Sequence, residues 1–334
     1  MKRVFLIYGL VFLFSMIHIV ESKAQTSSPI KYNKEFSGIG PEVYILPPPK
    51  TEKERLQDQY SEKKKDQGQL VQVLNQMRLS GRLKQLSPAD SLSASKNQLG
   101  TAKLLAGDVE GARTIFKELL YKFQLRDDLY NQQSVLQNLA LTEEQSGNYL
   151  ASLDYYETLI SLAKKAKNIQ NEGLISLSIA TIESKLGNYS AAHNLVLKRS
   201  FPLLRKFKYF PDVVNALNTL AAIKESEEKL IEAKWIYLQA IDVATIHKDE
   251  RGLAVSLYNL AELKTMIGDA SLAIADYKRA RDLASRNKMN ALLVEIEDGL
   301  GDAYLDSGDY KEAALALNSY LILKLEFIGN PTLM

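Results

Sequence analysis

The sequence predicts an all-α chain of antiparallel helix pairs that stack side by side. Small turn dipeptides return about every 40 residues, and small and large apolar residues keep fixed distances from them. The 334 residues include only 9 prolines and 17 glycines, and long stretches are rich in Ala, Leu, Glu, Lys and Gln. These are helix-forming residues, and a fixed period of this size is typical of repeat proteins.

The turn dipeptides define six units. They are Gly107-Asp108, Gly147-Asn148, Gly187-Asn188, Glu228-Lys229, Gly268-Asp269 and Gly308-Asp309. Glycine allows the left-handed conformation that ends a helix, and Asp or Asn suits the cap of the next one. Each dipeptide therefore predicts the tip of a helical hairpin.

Side chains on both sides of each turn repeat in step with it. Small residues lie seven before the turn, at Gly100, Ala140, Ala180, Ala221, Ala261 and Gly301, and five after it, at Ala112, Ser152, Ala192, Ala233, Ala273 and Ala313. Large apolar residues lie eight before it, at Leu99, Leu139, Ile179, Leu220, Leu260 and Leu300, and nine after it, at Phe116, Tyr156, Val196, Tyr237, Tyr277 and Leu317. Small residues let two helix axes approach closely, and large ones fill the seam between neighbouring pairs.

This order of small residue, Gly, Ala and aromatic residue resembles the tetratricopeptide repeat, most closely in the unit from Gly301 to Ala313. The resemblance covers residues 88–328, with a period of 40 where the family usually has 34. It implies a right-handed superhelical solenoid of six hairpins that binds other proteins, of the longer-helix variety found in many bacterial signalling and scaffold proteins. With the signal peptide described next, we expect an exported bacterial repeat protein. The link from fold to binding is an analogy.

Residues 1–24 have the pattern of a signal peptide. A basic start precedes the apolar run Val4–Val20, and Ser22 and Ala24 are the small residues of a cleavage site before Gln25. Cleavage would remove Lys2, Arg3, Lys23 and Glu21 and leave 39 basic and 39 acidic residues. We expect a periplasmic or secreted protein with no general attraction for nucleic acid. An uncleaved membrane anchor is the alternative, and it would be the chain's membrane contact.

Residues 25–87 precede the regular units. The proline-rich stretch 25–50 is expected to be an extended leader. Residues 51–87 form a charged, helix-favouring segment with two open interpretations. It is either a degenerate capping repeat, with Ser61, Gly68 and Met77 in the small, turn and aromatic slots, or a lone amphipathic helix.

Two places depart from the regular pattern. Pro202 is expected to kink or end the second helix of the third unit. The cations around it, Lys198, Arg199, Arg205, Lys206 and Lys208, form either a patch for an anion or acidic partner or an ordinary solvated helix end.

The last helix is apolar on more than one face. Leu317, Leu321, Leu325 and Phe327 predict a docking face for a second copy, giving a homodimer, or for another protein. The alternative is that the tail at residues 329–334 folds back over this face.

The resemblance also implies a ligand groove lined by the first helix of each pair. The groove positions that we predict to contact a partner are Gln137, Glu144, Asn218, Glu225, Tyr258, Glu262, Asp298, Asp302 and Asp306. Asn and Gln can hydrogen-bond to an extended backbone, and the acidic end suits a basic peptide. The family's carboxylate clamp of Lys, Arg and Asn is absent, so no preference for a C-terminal carboxylate is expected. An ordinary solvated face is the alternative.

The sequence argues against an enzyme. It has no Cys, and His193 and His247 lack a partner at the spacing of a helical metal site. No P-loop, dinucleotide fingerprint or nucleophile elbow occurs. We therefore expect no catalytic residues, metal, cofactor or small-molecule substrate, and a protein–protein interaction scaffold. A ligand-sensing input module and a structural component of an envelope assembly remain the alternatives.

Overall fold

The computed structural model describes residues 50, 51, 54–59, 79, 82–87 and 90–329, with the backbone alone for 327–329. The signal peptide, the leader, the residues Ser61, Gly68 and Met77, and the tail from 330 onward lie outside this part. Within it, every regular element is a helix.

Thirteen α-helices and one π-helical stretch follow one another from Ser91 onward. They are α1 Ser91–Leu105, α2 Val109–Leu125, α3 Leu129–Gln145, α4 Tyr149–Lys165, α5 Ile169–Lys185, α6 Tyr189–Asn194, the π-helical Leu195–Ser200, α7 Phe201–Lys206, α8 Phe210–Ser226, α9 Leu230–Ile246, α10 Glu250–Met266, α11 Ala270–Arg286, α12 Asn290–Ser307 and α13 Tyr310–Gly329. Consecutive helices pack into six hairpins, which we call units 1 to 6, and successive units stack as a solenoid. This confirms the predicted fold class.

The turns inside the hairpins have the predicted conformation. Five glycines adopt φ between 74° and 86°, and Glu228 adopts φ 60° in the unit that lacks one. In unit 1 the amide of Gly107 donates to Leu104 O at 3.0 Å, and that of Asp108 donates to Lys103 O at 2.8 Å. These bonds pair the last carbonyls of α1. The turns between hairpins use the same conformation without glycine, at Asp127, Lys167, Lys208, Lys248 and Lys288.

The small residues lie where helices cross closely. Ala261 and Ala273 are fully buried, as are their equivalents in other units. A Cβ added to Gly100 would come within 2.7 Å of the Phe116 ring. The aliphatic residue eight before the turn is buried in units 2 to 6, whereas Leu99 in unit 1 is 52% exposed.

The helix that contains Pro202 does not end there. It passes from α6 through the π-helical stretch into α7, and Ser200 Oγ donates to Gly173 O at 2.9 Å. Proline lacks an amide donor, and a wider turn upstream accommodates the missing bond. The predicted disruption therefore takes the form of a π-helical stretch.

The apolar last helix, α13, is only partly exposed. Leu321 and Leu325 are 39% and 69% exposed, but Leu317 is buried at 7%. The prediction that Leu317 belongs to a docking face is wrong, because its side chain is buried within the chain itself. Near the start of α13, Leu315 and Asn318 share a cleft with Leu56. No described helix is long and apolar enough to span a membrane.

Candidate protein-binding groove

The first helices of the units form one continuous surface, which we call the groove. It consists of α1, α3, α5, α8, α10 and α12. Residues of α1 and α3, of α5 and α8, of α8 and α10, and of α10 and α12 lie close together, and Asn171 of α5 donates to Gln133 of α3 at 3.2 Å. The second helices lie behind them. The predicted partner-binding residues lie on α3, α8, α10 and α12 of this surface.

The chain's own residues 82–87 lie against the start of the groove. Residues 83–87 have no regular secondary structure. The Lys84 amide donates to Asn138 Oδ1 at 2.8 Å, and the Lys84 carbonyl accepts from Asn97 Nδ2 and Asn138 Nδ2, both at 3.0 Å. Asn138 Nδ2 also donates to Asn97 Oδ1 at 3.0 Å. Two fully buried asparagines thus pair both polar groups of one backbone residue.

Two more side-chain amides of α3 hold the same segment. Asn131 Oδ1 accepts from the Ser87 amide at 2.9 Å, and Gln137 Nε2 donates to Arg82 O at 3.0 Å. Gln137 is a predicted groove residue. These contacts recognise backbone atoms, so they fix the position of a segment with little regard to its sequence.

Arg82 supplies the sequence-dependent polar contact. Its Nη1 and Nη2 donate to Glu144 Oε2 and Oε1 at 3.0 and 2.8 Å, and Nη2 also lies 3.3 Å from Tyr156 Oη. Tyr156 Oη in turn donates to Glu144 Oε1 at 2.7 Å. Burial and the neighbouring Glu144 charge raise the pKa of Tyr156, which keeps its hydroxyl a donor.

Apolar side chains complete the contact. Leu83 and Leu86 are each 7% exposed and belong to one buried cluster with Leu104 of α1 and Leu141 of α3. Lys84 and Gln85 point away and are exposed. The groove of units 1 and 2 therefore binds an extended segment through its backbone, one arginine and two leucines.

The groove of units 4 and 5 carries a second set of Glu–Tyr pairs. Glu225 of α8 is hydrogen-bonded to Tyr237, and Tyr277 Oη donates to Glu262 of α10. Burial raises the pKa of Glu225, and the Glu262 charge adds to the effect. Burial likewise raises the pKa of Glu262, together with the charges of Asp298, Glu295 and Asp302. This end of the groove holds negative charge that is poorly solvated.

The remaining predicted groove residues fall into two groups. Tyr258, Asp298 and Asp302 are half-buried beside Glu262, and the Tyr258 and Tyr277 rings lie 6.2 Å apart. Asp306 is exposed close to the end of α12. The first three share one region with Glu225 and Asn218, and Asp306 lies at its margin.

The predicted basic patch lies on the second helix of unit 3 and the turn after it. Lys198 and Arg199 belong to the π-helical stretch, Arg205 and Lys206 to α7, and Lys208 to the following turn. Arg199 pairs with Glu172 at 3.3 Å, and the Lys206 amine lies 5.6 Å from the Phe207 ring. The patch is therefore separate from the groove.

The two histidines in the described part of the chain, His193 and His247, each contact a neighbouring side chain. The rings of His247 and Phe210 stack at 3.4 Å, and His193 Nε2 lies 3.4 Å from Glu227 Oε2. Burial, and then the nearby Lys224 charge, lower the pKa of His193. Among the described residues, no three acidic or histidine side chains gather as metal ligands would.

Comparison with solved structures found similar chains. BtubC (BKLC) from P. vanneervenii has a TM-score of 0.52 at 17% identity, covering 67% of this chain and 91% of that one. The apo form of RapI has a TM-score of 0.52 at 10% identity, covering 81% and 75%. A putative kinesin light chain from Podosopora anserina with TPR-like repeats has a TM-score of 0.45 at 14% identity, covering 58% and 95%. The sequence matches no protein-family model and no curated protein.

The chain has a tetratricopeptide-like repeat fold. Six stacked hairpins with small residues at each crossing carry this conclusion, and the likeness to BtubC and RapI agrees with it. At these identities the likeness concerns the fold alone.

Sequence reasoning missed the most informative part of this tetratricopeptide-like groove. Asn138 lies nine residues before its turn, one position away from the predicted groove position at Gln137. Asn97 lies ten residues before its turn, the same position as the predicted groove residues Gln137 and Asn218. The recurrence of Asn at the same two positions in units 4 and 5, at Asn218 and Asn259, is the signal that was available.

Proposed function

We propose that this protein is a non-catalytic interaction scaffold that acts outside the cytoplasm and binds a protein partner along its groove. The observation that carries the proposal is the seating of residues 82–87. There the groove already holds an extended polypeptide by side-chain amides, a Glu–Tyr pair and apolar contacts. Binding an extended segment is thus chemistry that this surface performs within its own chain.

The acidic half of the groove is the part for an external partner. Units 1 and 2 are occupied by residues 82–87, whereas Glu225, Glu262, Asp298 and Asp302 line units 4 to 6. Opposite charge attracts and orients a partner at a surface, so a basic segment suits these units.

Charge reversals on the two sides of the solenoid test this proposal. The full chain, immobilised, is exposed to extracytoplasmic fractions, and captured proteins are compared between Asp302→Lys and Asp282→Lys. Asp282 is exposed on the second helix α11 and serves as a control of equal charge change. We expect a defined partner that is lost with Asp302→Lys and kept with Asp282→Lys. Equal capture by both variants would exclude the groove as the binding surface.

Export itself is tested by the mass of the protein recovered outside the cytoplasm. The proposal requires a chain that begins at Gln25. A recovered chain that still contains residues 1–24 would support the membrane-anchored alternative.

A further inference from the structure

The groove of units 4 and 5 repeats the backbone-binding residues of units 1 and 2. Asn97 lies ten residues before the turn of its unit, and Asn138 nine before the turn of the next. Asn218 and Asn259 occupy these same two positions in units 4 and 5. In an array whose units superpose, equal positions face the same surface.

Asn218 has a polar atom that lacks a partner. The side chain is 8% exposed, and its Nδ2 donates to Ser256 Oγ at 2.9 Å. Ser256 Oγ donates to Gly252 O at 2.9 Å, which fixes the orientation of the amide. Asn218 Oδ1 is buried and accepts no hydrogen bond from the described residues. A buried acceptor without a donor costs free energy. In units 1 and 2, where a backbone segment is seated, the equivalent acceptor Asn97 Oδ1 accepts from Asn138 Nδ2 at 3.0 Å.

The side-chain pocket beside the asparagines differs in chemistry between the two places. In units 1 and 2 it is formed by Leu104 and Leu141, three and six residues before their turns, and leucines of residues 82–87 pack there. The equivalent residues in units 4 and 5 are Glu225 and Glu262. The pocket that is apolar in units 1 and 2 is therefore anionic in units 4 and 5.

The two carboxylates are arranged like the one that binds Arg82. Each is hydrogen-bonded to a tyrosine of the buried stripe, as Glu144 is to Tyr156. No described Lys or Arg forms an ion pair with Glu225 or Glu262, whereas Glu144 has Arg82. A guanidinium is the group that this chain itself places on such a pair, and its planar donors match carboxylates.

We propose that units 4 and 5 form a second binding site, which takes an extended polypeptide segment and places an arginine side chain between Glu225 and Glu262. A backbone amide of the segment donates to Asn259 Oδ1, as that of Lys84 does to Asn138 Oδ1, and Asn218 Oδ1 accepts from Asn259 Nδ2, as Asn97 Oδ1 does from Asn138 Nδ2. This deepens the proposed function, on which it rests, by naming the site and the residue that it selects. Arginine is favoured over lysine because two carboxylates can share its several donors.

Titration of the full chain with a short peptide tests this site. The probe is a fluorescent, end-blocked Thr-Val-Arg-Val-Thr, whose β-branched residues favour the extended state, and the comparison peptide carries citrulline, which is uncharged and nearly isosteric. We expect the citrulline peptide to bind about tenfold more weakly, as for the loss of one charge-assisted contact. Glu225→Gln, Glu262→Gln and Asn218→Ala should each weaken the arginine peptide, and Glu157→Gln, on the exposed face of α4, should not.

Three results would overturn the proposal. They are no detectable binding, equal affinity for the two peptides, and a loss of affinity caused by Glu144→Gln but by none of the three site variants. Circular dichroism of each variant separates a lost contact from a lost fold. Partner capture with the Asp302 and Asp282 variants is independent of this peptide, so the general function can stand where the arginine site fails.

Discussion

Arg82 and Glu144 form a two-point ion pair across 62 residues of sequence, with N–O distances of 3.0 and 2.8 Å. The Glu144 side chain is 6% exposed and that of Arg82 is 45% exposed. The pair joins a segment that precedes the repeats to the groove of unit 2. It makes the start of the groove a binding site that is already filled.

Arg82→Ala should therefore loosen residues 82–87 and leave the Glu144 carboxylate poorly solvated. We expect the free energy of unfolding to fall by about 1–3 kcal/mol, the range for a hydrogen bond to a charged group. Urea denaturation measures the change. Lys96→Ala breaks the exposed pair between Lys96 and Glu118 and should cost less than about 1 kcal/mol. Equal losses of unfolding free energy in the two variants would mean that the Arg82–Glu144 pair stabilises the fold no more than an exposed ion pair does.

The close crossing of the helices in unit 3 can be tested with two adjacent alanines. Ala192 is fully buried at the crossing, and Ala191 is exposed beside it. An indole has no room at Ala192, so Ala192→Trp should cost about 3 kcal/mol or more. Ala191→Trp should leave the melting temperature nearly unchanged. If both variants change the melting temperature by the same amount, the assignment of Ala192 to the helix crossing is wrong.

Glu228 occupies a position where the other five units have glycine. Its φ of 60° is unfavourable for a residue with a Cβ. Glu228→Gly should stabilise the fold by about 0.5–1 kcal/mol, because relief of this strain outweighs the added entropy of the unfolded chain. Glu157→Gly, in the interior of α4, should instead destabilise by about 1 kcal/mol. Thermal unfolding distinguishes the two signs, and destabilisation by both changes would contradict the assignment of the turn.

Glu262 should make the stability of the protein depend on pH. Its folded-state pKa lies above its ordinary value of 4.5, because of burial and then the charges of Asp298, Glu295 and Asp302. The protonated form thus favours folding, and this contribution is lost as the pH rises through the folded-state pKa. Glu262→Gln, which keeps an acceptor for Tyr277, should be more stable than the wild type at neutral pH and no more stable below the ordinary carboxyl pKa. A difference that is the same at both pH values would contradict the raised pKa.

The fold could be predicted from the sequence because its signal is periodic. Turn glycines, buried alanines and the aromatic stripe repeat with the unit, and each is fixed by local helix packing. The π-helical stretch before Pro202 shows the limit of such prediction. A proline indicates that the helix is disrupted, but it does not indicate whether the helix kinks, ends or widens into a π-helix. The wrong placement of Leu317 has a similar cause, since an apolar helix does not reveal which side faces its own hairpin.

The site could be predicted only in part. The predicted groove positions included Gln137 and Glu144, yet their occupant, Arg82, lies before the six regular units, and the period of those units does not predict its placement. A contact across tens of residues depends on where a non-repeating segment is placed, and local patterns carry no information about that. The paired asparagines Asn97 and Asn138 gain their meaning from the backbone of Lys84, which is visible only in three dimensions.

Amide hydrogen exchange of residues 84–87 in the full chain tests the central claim most directly. The amides of Lys84 and Ser87 donate to Asn138 and Asn131, whereas that of Gln85 donates to no described residue. We predict slow exchange at Lys84 and Ser87 and fast exchange at Gln85, with protection at Lys84 lost in Asn138→Ala. Exchange at the rate of an unstructured peptide at all three amides would show that the groove does not hold an extended segment.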